Sequence, residues 1–191
     1  MTHPDVKRVL TELDSHRVKF EAFCRSLTPD ELDDPVANST WFVRDFIAHL
    51  ATIDGPVMRM FEGVHSGNSK GFTGEDGRGI NIDAWNEEQV VPRRAFSLED
   101  VLGEAAVSRD AIRRVMRTFT NVDLAYEFRF GGDSKRPASQ VTLKNYLRGW
   151  CKHDPMHVVD MLRGLPGRDT PEIHAWVSDP IIAGYQKAMN V

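Results

Sequence analysis

The chain is poor in cysteine, in long apolar runs and in excess positive charge, and each shortage excludes a class of protein. Only Cys24 and Cys151 occur among 191 residues, so the sequence excludes a disulfide-stabilised scaffold and predicts a cytoplasmic protein. No apolar run reaches the roughly 20 residues of a membrane span, and the N-terminus lacks a secretory signal pattern, so no membrane partner is expected. A net charge of −4 argues against nucleic acid as a partner.

The remaining composition is that of an ordinary globular protein. Apolar residues make up 41% of the chain and charged residues 27%, which is close to the average for water-soluble domains. A chain of 191 residues is long enough to bury a core without covalent cross-links. The sequence shows no internal repeat and no linker, and we therefore expect residues 1–191 to form a single domain.

Apolar residues recur at intervals of three and four positions, which is typical of amphipathic helices. The predicted long helices span about 5–27, 40–65, 97–119 and 142–165, and a further C-terminal helix spans about 171–189. Pro56 should bend or break the second helix, and Asp179-Pro180 should interrupt the last one. Four long helices joined by extended crossovers predict an all-α fold, a four-helix bundle with long crossover loops and an extra C-terminal helix.

Two of the connections have a distinct composition. Gly67 to Gly79 is rich in glycine without the spacing of a nucleotide-binding loop, and we interpret it as a flexible loop that could cover a site. Residues 121–140 read as irregular. Within them, the alternating segment Tyr126–Phe130 is typical of a short strand that turns at Gly131-Gly132.

Three histidines are the candidate functional residues. His153 and His157 are four positions apart on the predicted fourth helix, which places both imidazoles on one face about 6 Å apart along the axis. Catalytic metal sites commonly use three protein ligands and keep one position open. His49, in the apolar stretch of the second helix, is the third candidate if the two helices pack together. The alternative is that each histidine is a hydrogen-bonded residue of the core.

The residues around this pair support some interpretations and disfavour others. Tyr146, Trp150 and Asp160 share the face of His153 on the predicted helix and are expected to line a pocket. Asp154 stands where a metalloprotease H-E-x-x-H motif has glutamate, and its shorter side chain disfavours that chemistry. Asp154 could instead orient a histidine through a hydrogen bond or face solvent, and we expect it to face solvent. We expect Cys151 to be a buried apolar residue.

Two motifs together resemble a known family. The segment Trp41-x-x-Arg44-Asp45-x-x-x-His49-Leu50 is similar to the second-helix motif of the DinB/YfiT-like metalloenzymes, which include the mycothiol-dependent maleylpyruvate isomerase type. His153-Asp154-x-x-His157 is similar to the fourth-helix motif of that family. Their order and wide separation match as well, so the resemblance spans most of the chain up to about residue 165.

The resemblance carries expectations about fold, cofactor and site. It implies a bundle of up-down-down-up order, frequently homodimeric, that binds Zn²⁺ or Ni²⁺ through His49, His153 and His157. In characterised relatives the metal activates a low-molecular-weight thiol for transfer or isomerisation. Relatives often carry glutamine three positions after the last histidine, where this chain has Asp160. A carboxylate there could accept a hydrogen bond from a ligand or act as a fourth ligand.

These observations lead to one leading hypothesis and two alternatives. The leading hypothesis is a divalent-metal enzyme that activates a small thiol, or water, for transfer to a small molecule or for its isomerisation or hydrolysis. The first alternative is a non-catalytic, stress-related bundle that binds a metal or a ligand. The second is a helical interaction protein in which the three histidines belong to the core.

Overall fold

The computed structural model describes residues 1–69, 71–131 and 138–189, and most of them are helical. The first half contains α1 (Pro4–Arg25), α2 (Pro29–Leu32), α3 (Val43–Thr52), α4 (Asp54–His65) and α5 (Ile82–Arg93). The second half contains α6 (Leu98–Met116), α7 (Asn121–Leu124), β1 (Glu127–Phe130), β2 (Ser139–Thr142), α8 (Leu143–Trp150), α9 (His153–Leu162), α10 (Pro171–Val177) and α11 (Pro180–Met189). The all-α prediction is confirmed. Among the described residues, no helix is both long and apolar enough to cross a membrane.

Side-chain caps define where several helices begin. The hydroxyl of Ser97 accepts the backbone N–H of Asp100 at the start of α6, and Thr142 caps α8 in the same way. Such caps satisfy backbone donors that have no partner within the helix. The second long helix was expected to start near residue 40, but it begins at Val43, where the Asp45 carboxylate accepts the backbone N–H of Phe42.

Two of the four predicted long helices are each divided in two. The second breaks between α3 and α4, three residues before Pro56, which confirms the expected effect of that proline. The fourth breaks between α8 and α9, so the prediction of one continuous helix over 142–165 is wrong. In both cases proline is the third residue of the new helix, where the clash of its ring with the preceding turn is avoided. His153 and His157 therefore lie together on the unbroken α9.

The four long helical units are α1, α3–α4, α6 and α8–α9, and they pack around two apolar clusters. One cluster includes Leu13, Phe61 and Ile112 from α1, α4 and α6, together with the buried side of α8. The other includes Phe20 and Ile47 from α1 and α3, together with the first half of α6 and the buried side of α9. The core is thus shared among all four units, while their up-down-down-up order remains a prediction.

A layer of buried charges lies between the two apolar clusters, and each helical unit contributes one member. Arg109 of α6 donates to Asp54 at 2.6 Å and to Asp154 at 3.3 Å, and Arg17 of α1 donates to Asp154 at 2.9 Å. Each of these four side chains is at most 6% exposed. The expectation that Asp154 faces solvent is therefore wrong, because two arginines hold its carboxylate inside the bundle.

The irregular region after α6 contains the short strand that was predicted. Strand β1 pairs with β2 in an antiparallel hairpin, with Glu127 opposite Thr142 and Phe130 opposite Ser139. Gly132, part of the expected turn, lies outside the described residues. The glycine-rich loop includes an isolated bridge between Thr73 and Gly79.

Candidate metal centre

Three imidazoles meet where α3 packs against α9. His49 comes from α3, while His153 and His157 lie one helical turn apart on α9. One ring nitrogen of each histidine lies within 4.8 Å of the corresponding nitrogens of the other two. The Nε2 atoms of His153 and His157 are 3.0 Å apart. The three residues predicted from the sequence are thus brought together, and such a group could hold a metal ion.

Hydrogen bonds on the far side of two rings orient them. Nδ1 of His49 lies 3.2 Å from the side-chain oxygen of Asn86 on α5, and Nδ1 of His157 lies 2.9 Å from Oδ2 of Asp160. Amide and carboxylate oxygens accept hydrogen bonds, so we assign the proton to Nδ1 in both rings. The Nε2 lone pairs of His49 and His157 are then available on the side where the three rings meet.

Burial keeps two of the imidazoles uncharged. It lowers the pKa of His49 and of His153 well below the usual 6.5, and the proximity of His157 lowers both further. Neutral imidazole is the form that binds metals. His153 retains some solvent exposure, but its Nδ1 is enclosed and has no hydrogen-bond partner among the described residues.

Aromatic rings surround the histidines. Trp150 stacks on His153 with ring centroids 4.6 Å apart, Trp41 lies 5.5 Å from His49, and Phe46 lies 5.7 Å from His157. These rings present apolar surface to the imidazoles and limit the access of water. The site combines three nitrogen donors with an apolar wall, which is the usual composition of a small-molecule pocket.

Comparison with known proteins decides the family. The model of the DinB superfamily matches residues 12–161, which include all three histidines. The chain belongs to the DinB superfamily. No curated protein sequence matches it.

Two solved structures share this DinB fold. They are the mycothiol-dependent maleylpyruvate isomerase and a histidine-to-alanine mutant of the same enzyme, and each superposes with a TM-score of 0.61. Both are 11% identical to this chain, and the match covers 82% of the chain and 60% of the isomerase. The likeness at this identity shows a common fold, and a large part of the isomerase has no counterpart in the match.

The three residues expected to line the pocket occupy different positions in this DinB protein. Trp150 contacts the site, because its ring stacks on the ring of His153. Tyr146 is one ring further away, stacked on Trp150 at 6.3 Å and packed among core aromatics. Both oxygens of Asp160 accept hydrogen bonds, from His157, from Arg163 at 2.6 Å and from Tyr185 at 2.8 Å. Asp160 thus accepts a hydrogen bond from the ring of His157, which is one of the two roles expected for it.

The sequence reasoning missed two residues beside the histidines. Asn86 lies on α5, whose sequence gives it no metal-binding spacing, and Tyr185 lies on α11, beyond the motif match. A weak signal was present for Asn86, because it is a polar residue one turn before the buried Val90. For Tyr185 the sequence carries no signal, since its partner Asp160 belongs to a different helix.

The thiols of the protein itself are protected from reaction. Cys24 and Cys151 are both buried. Burial raises the pKa of Cys24 well above 9.0 and that of Cys151 to about 12, and Glu12 adds to the shift at Cys151. Because the thiolate is the reactive form, we expect both side chains to be inert at pH 8.

A thiol titration tests this protection. The folded protein should react with a chromogenic disulfide reagent at pH 8 at least about 100 times more slowly than a free thiol, whereas both cysteines should react at once in denaturant. A fast reaction of one equivalent in the folded protein would contradict the assignment. A Cys24→Ser variant would then show which residue had reacted.

Proposed function

We propose that the protein is a metal-dependent enzyme whose divalent ion is bound by His49, His153 and His157. The substrate is a small molecule, and the reaction is transfer of a low-molecular-weight thiol to it, or its isomerisation or hydrolysis. The observation that carries the proposal is the convergence of three nitrogen donors within 4.8 Å in a buried site.

The arrangement of donors fits a metal such as Zn²⁺ or Ni²⁺. Imidazole nitrogen suits both ions, and Zn–N bonds of about 2.0–2.1 Å in a tetrahedral site require donor nitrogens about 3.3 Å apart. The distance between His153 and His157 Nε2 is 3.0 Å, so modest side-chain rotations satisfy this requirement. Asn86 and Asp160 hold protons on Nδ1 of two rings, the usual arrangement around metal-binding histidines.

The charge of the donor set favours activation of an acidic group. Three neutral imidazoles leave the charge of a divalent ion uncompensated, and when bound the ion would favour the deprotonated form of a thiol or of water. Trp41, Phe46 and Trp150 exclude water from the same space and so strengthen electrostatic interactions within it. Together, these residues favour an anionic nucleophile beside an apolar surface.

The choice of a thiol is supported by the structural relatives. The isomerase that shares the fold is mycothiol-dependent, and mycothiol is a thiol. The buried Cys24 and Cys151 of this chain are unsuited to supply the sulfur, so a thiol-dependent reaction would take it from a diffusible molecule. Water is the alternative nucleophile, and it would lead to hydrolysis.

One observation favours a second candidate, a bundle that binds metal without catalysis. The two carboxylates on α9 nearest the histidines, Asp154 and Asp160, are buried and already paired with arginines. Neither is free to exchange protons with a substrate, as a general acid or base must. A role in binding or sensing, including a stress-related one, would need no such group.

Metal content and turnover separate the two candidates. We expect freshly purified protein to contain about one Zn²⁺ or Ni²⁺ per chain by elemental analysis. The metal-loaded protein should then consume at least one pair in a panel of small thiols and electrophiles, and chelation should abolish that turnover. Stoichiometric metal without turnover across the panel, with or without thiols, would favour the binding protein. Absence of metal after reconstitution would contradict both.

A further inference from the structure

The C-terminal helices lie outside the region that matches the family model, yet they pack beside the candidate metal centre. Helices α10 and α11 follow residue 161, and both contact α9. Trp176 of α10 donates to Nδ1 of His16 at 2.9 Å. At the junction between the two helices, Asp179 pairs with Lys152 at 3.0 Å, and Ile182 of α11 is fully buried. These contacts hold both helices against the bundle.

One residue of α11 reaches the hydrogen bonds that orient the histidines. The Tyr185 hydroxyl donates to Oδ2 of Asp160 at 2.8 Å, and the same oxygen accepts from Nδ1 of His157 at 2.9 Å. The Tyr185 ring also lies edge-on to the His157 ring, with centroids 6.0 Å apart. A continuous chain of contacts therefore runs from α11 through Asp160 to a predicted metal ligand.

We propose that Tyr185 is a positioning residue for His157, acting through Asp160. The metal centre then depends on a helix that the family model does not include. This inference rests on the proposed function, because it assumes that His157 binds a metal ion.

The geometry gives Tyr185 a role that the other donors to Asp160 do not have. His157 and Arg163 both belong to α9, the helix that carries Asp160 itself. Among the described residues, Tyr185 is the hydrogen-bond donor to this carboxylate that comes from another helix. It fixes the carboxylate relative to a second element and so limits the orientations of the His157 ring. A ligand held in its binding orientation loses less entropy when the metal binds.

The chemistry of the phenol agrees with this role. Burial raises the pKa of Tyr185, and the neighbouring Asp160 raises it further, so the hydroxyl keeps its proton and remains a donor. Asp160 is 3% exposed, so loss of this donor would leave one of its lone pairs without a partner in a buried place. The His157–Asp160 hydrogen bond would then be less well ordered.

The experiment compares metal affinity in the full-length protein, measured by competition with a chromogenic Zn²⁺ chelator. Loss of an outer hydrogen-bond partner of a metal-binding histidine typically costs about 10–100-fold in affinity, which is the expected result for Asp160→Asn. Tyr185→Phe removes a hydrogen bond to Asp160 and none to the His157 ring itself. It should therefore weaken Zn²⁺ binding by a smaller factor, about threefold to tenfold. The imidazole nitrogen resonances of His157 in the metal-free protein should also shift in Tyr185→Phe.

Two control variants distinguish the positioning of His157 by Tyr185 from a general effect of packing α11 against the bundle. Tyr126→Phe removes a hydroxyl that bonds to the backbone of Ser69, remote from the site, and Asp179→Asn weakens the ion pair with Lys152 that helps to anchor α11. Tyr126→Phe should bind Zn²⁺ as the unmodified protein does, and Asp179→Asn, which keeps the Tyr185 hydroxyl, should lose clearly less affinity than Tyr185→Phe. Unchanged affinity in Tyr185→Phe, or an equal loss in Asp179→Asn, would overturn the inference and leave the metal site intact. Failure of the unmodified protein to bind Zn²⁺ would overturn the proposed function, and this inference with it.

Discussion

The variant His157→Ala should lose its metal while keeping its fold. Removal of one of three nitrogen donors should weaken Zn²⁺ binding by more than about 100-fold, since loss of an outer partner alone costs about 10–100-fold. His49→Ala should have the same effect, because it removes the donor from the other helix. Elemental analysis after gel filtration, together with a chelator competition, measures the change.

The fold should survive because His157 contributes little to the apolar core. Alanine is favourable in a helix, and α9 keeps its buried Val158 and Met161. The substitution removes one donor to Asp160 and leaves a small cavity, which together should cost about 1–3 kcal/mol. The circular dichroism spectrum should be unchanged, with a melting temperature lowered by a few degrees.

A matched control makes the result specific. His174 is exposed on α10, so His174→Ala removes an imidazole of the same chemistry away from the site. This variant should retain one metal ion per chain. Full metal occupancy in His157→Ala would refute the three-histidine site, and equal loss in His174→Ala would indicate non-specific binding.

The variant Arg109→Ala should lower the free energy of unfolding by about 3–5 kcal/mol, the usual cost of breaking a buried ion pair. Arg109 is 1% exposed and donates to both Asp54 and Asp154. Its removal leaves the buried Asp54 without its hydrogen-bonded cation and takes one of two arginines from Asp154. Urea denaturation, analysed for the midpoint and the slope, measures the loss.

The pH dependence of this variant distinguishes charge from packing. Burial already raises the pKa of Asp54, and Arg109 is the main group that opposes the shift. Without Arg109, the pKa of Asp54 in the folded state should rise further above its value in the unfolded state. The folded state then binds the proton more readily, so stability should recover as the pH falls through that raised pKa. A loss that does not change with pH would point to a packing defect instead.

An exposed arginine provides the comparison. Arg25 pairs with Glu21 and Glu99 at the surface, where its side chain is 47% exposed. Water screens such pairs, so Arg25→Ala should change the free energy of unfolding far less than Arg109→Ala does. If Arg25→Ala and Arg109→Ala were equally destabilising, the buried layer would have no special part in stability.

Much of the fold could be predicted because the helices follow local rules. The three- and four-residue spacing of apolar residues located the long helices, and two of the expected starts, near residues 97 and 142, coincide with the caps that the structure shows at Ser97 and Thr142. The break near Pro56 was predicted and the break before Pro155 was not, although both prolines occupy the third position of a new helix. Trp150 was expected on the face of His153, and its ring does stack on that imidazole at 4.6 Å, although a break between α8 and α9 separates the two residues.

Only part of the candidate site could be predicted from the sequence. His153 and His157 are four positions apart, so one helix brings them together whatever the rest of the chain does. His49 was a candidate only on the condition that the two helices pack together, and the family resemblance supported that condition, because no local rule brings residues of α3 and α9 into contact. Tyr146 was included among the pocket residues because of the helix period, but the structure packs it into the core.

The buried ion pairs are the clearest example of a feature that could not be predicted from the sequence. Arg17 and Arg109 stand at helical spacing from apolar core residues, but a long charged side chain at such a position can also extend to the surface. Their partners Asp54 and Asp154 belong to two other helices. Only the packing of four helical units determines that these charges meet inside the bundle.

The sequence by itself therefore determined the helices, their approximate ends and the pair of histidines on α9, since each depends on residues within a few positions of one another. The tertiary structure decided which side chains complete the site: Asn86 behind His49, and Asp160 with Tyr185 behind His157. It also brought Arg17, Asp54, Arg109 and Asp154 together inside the bundle. The physical reason is that hydrogen bonds and ion pairs act over a few ångströms in space, and chain folding brings distant segments within that range.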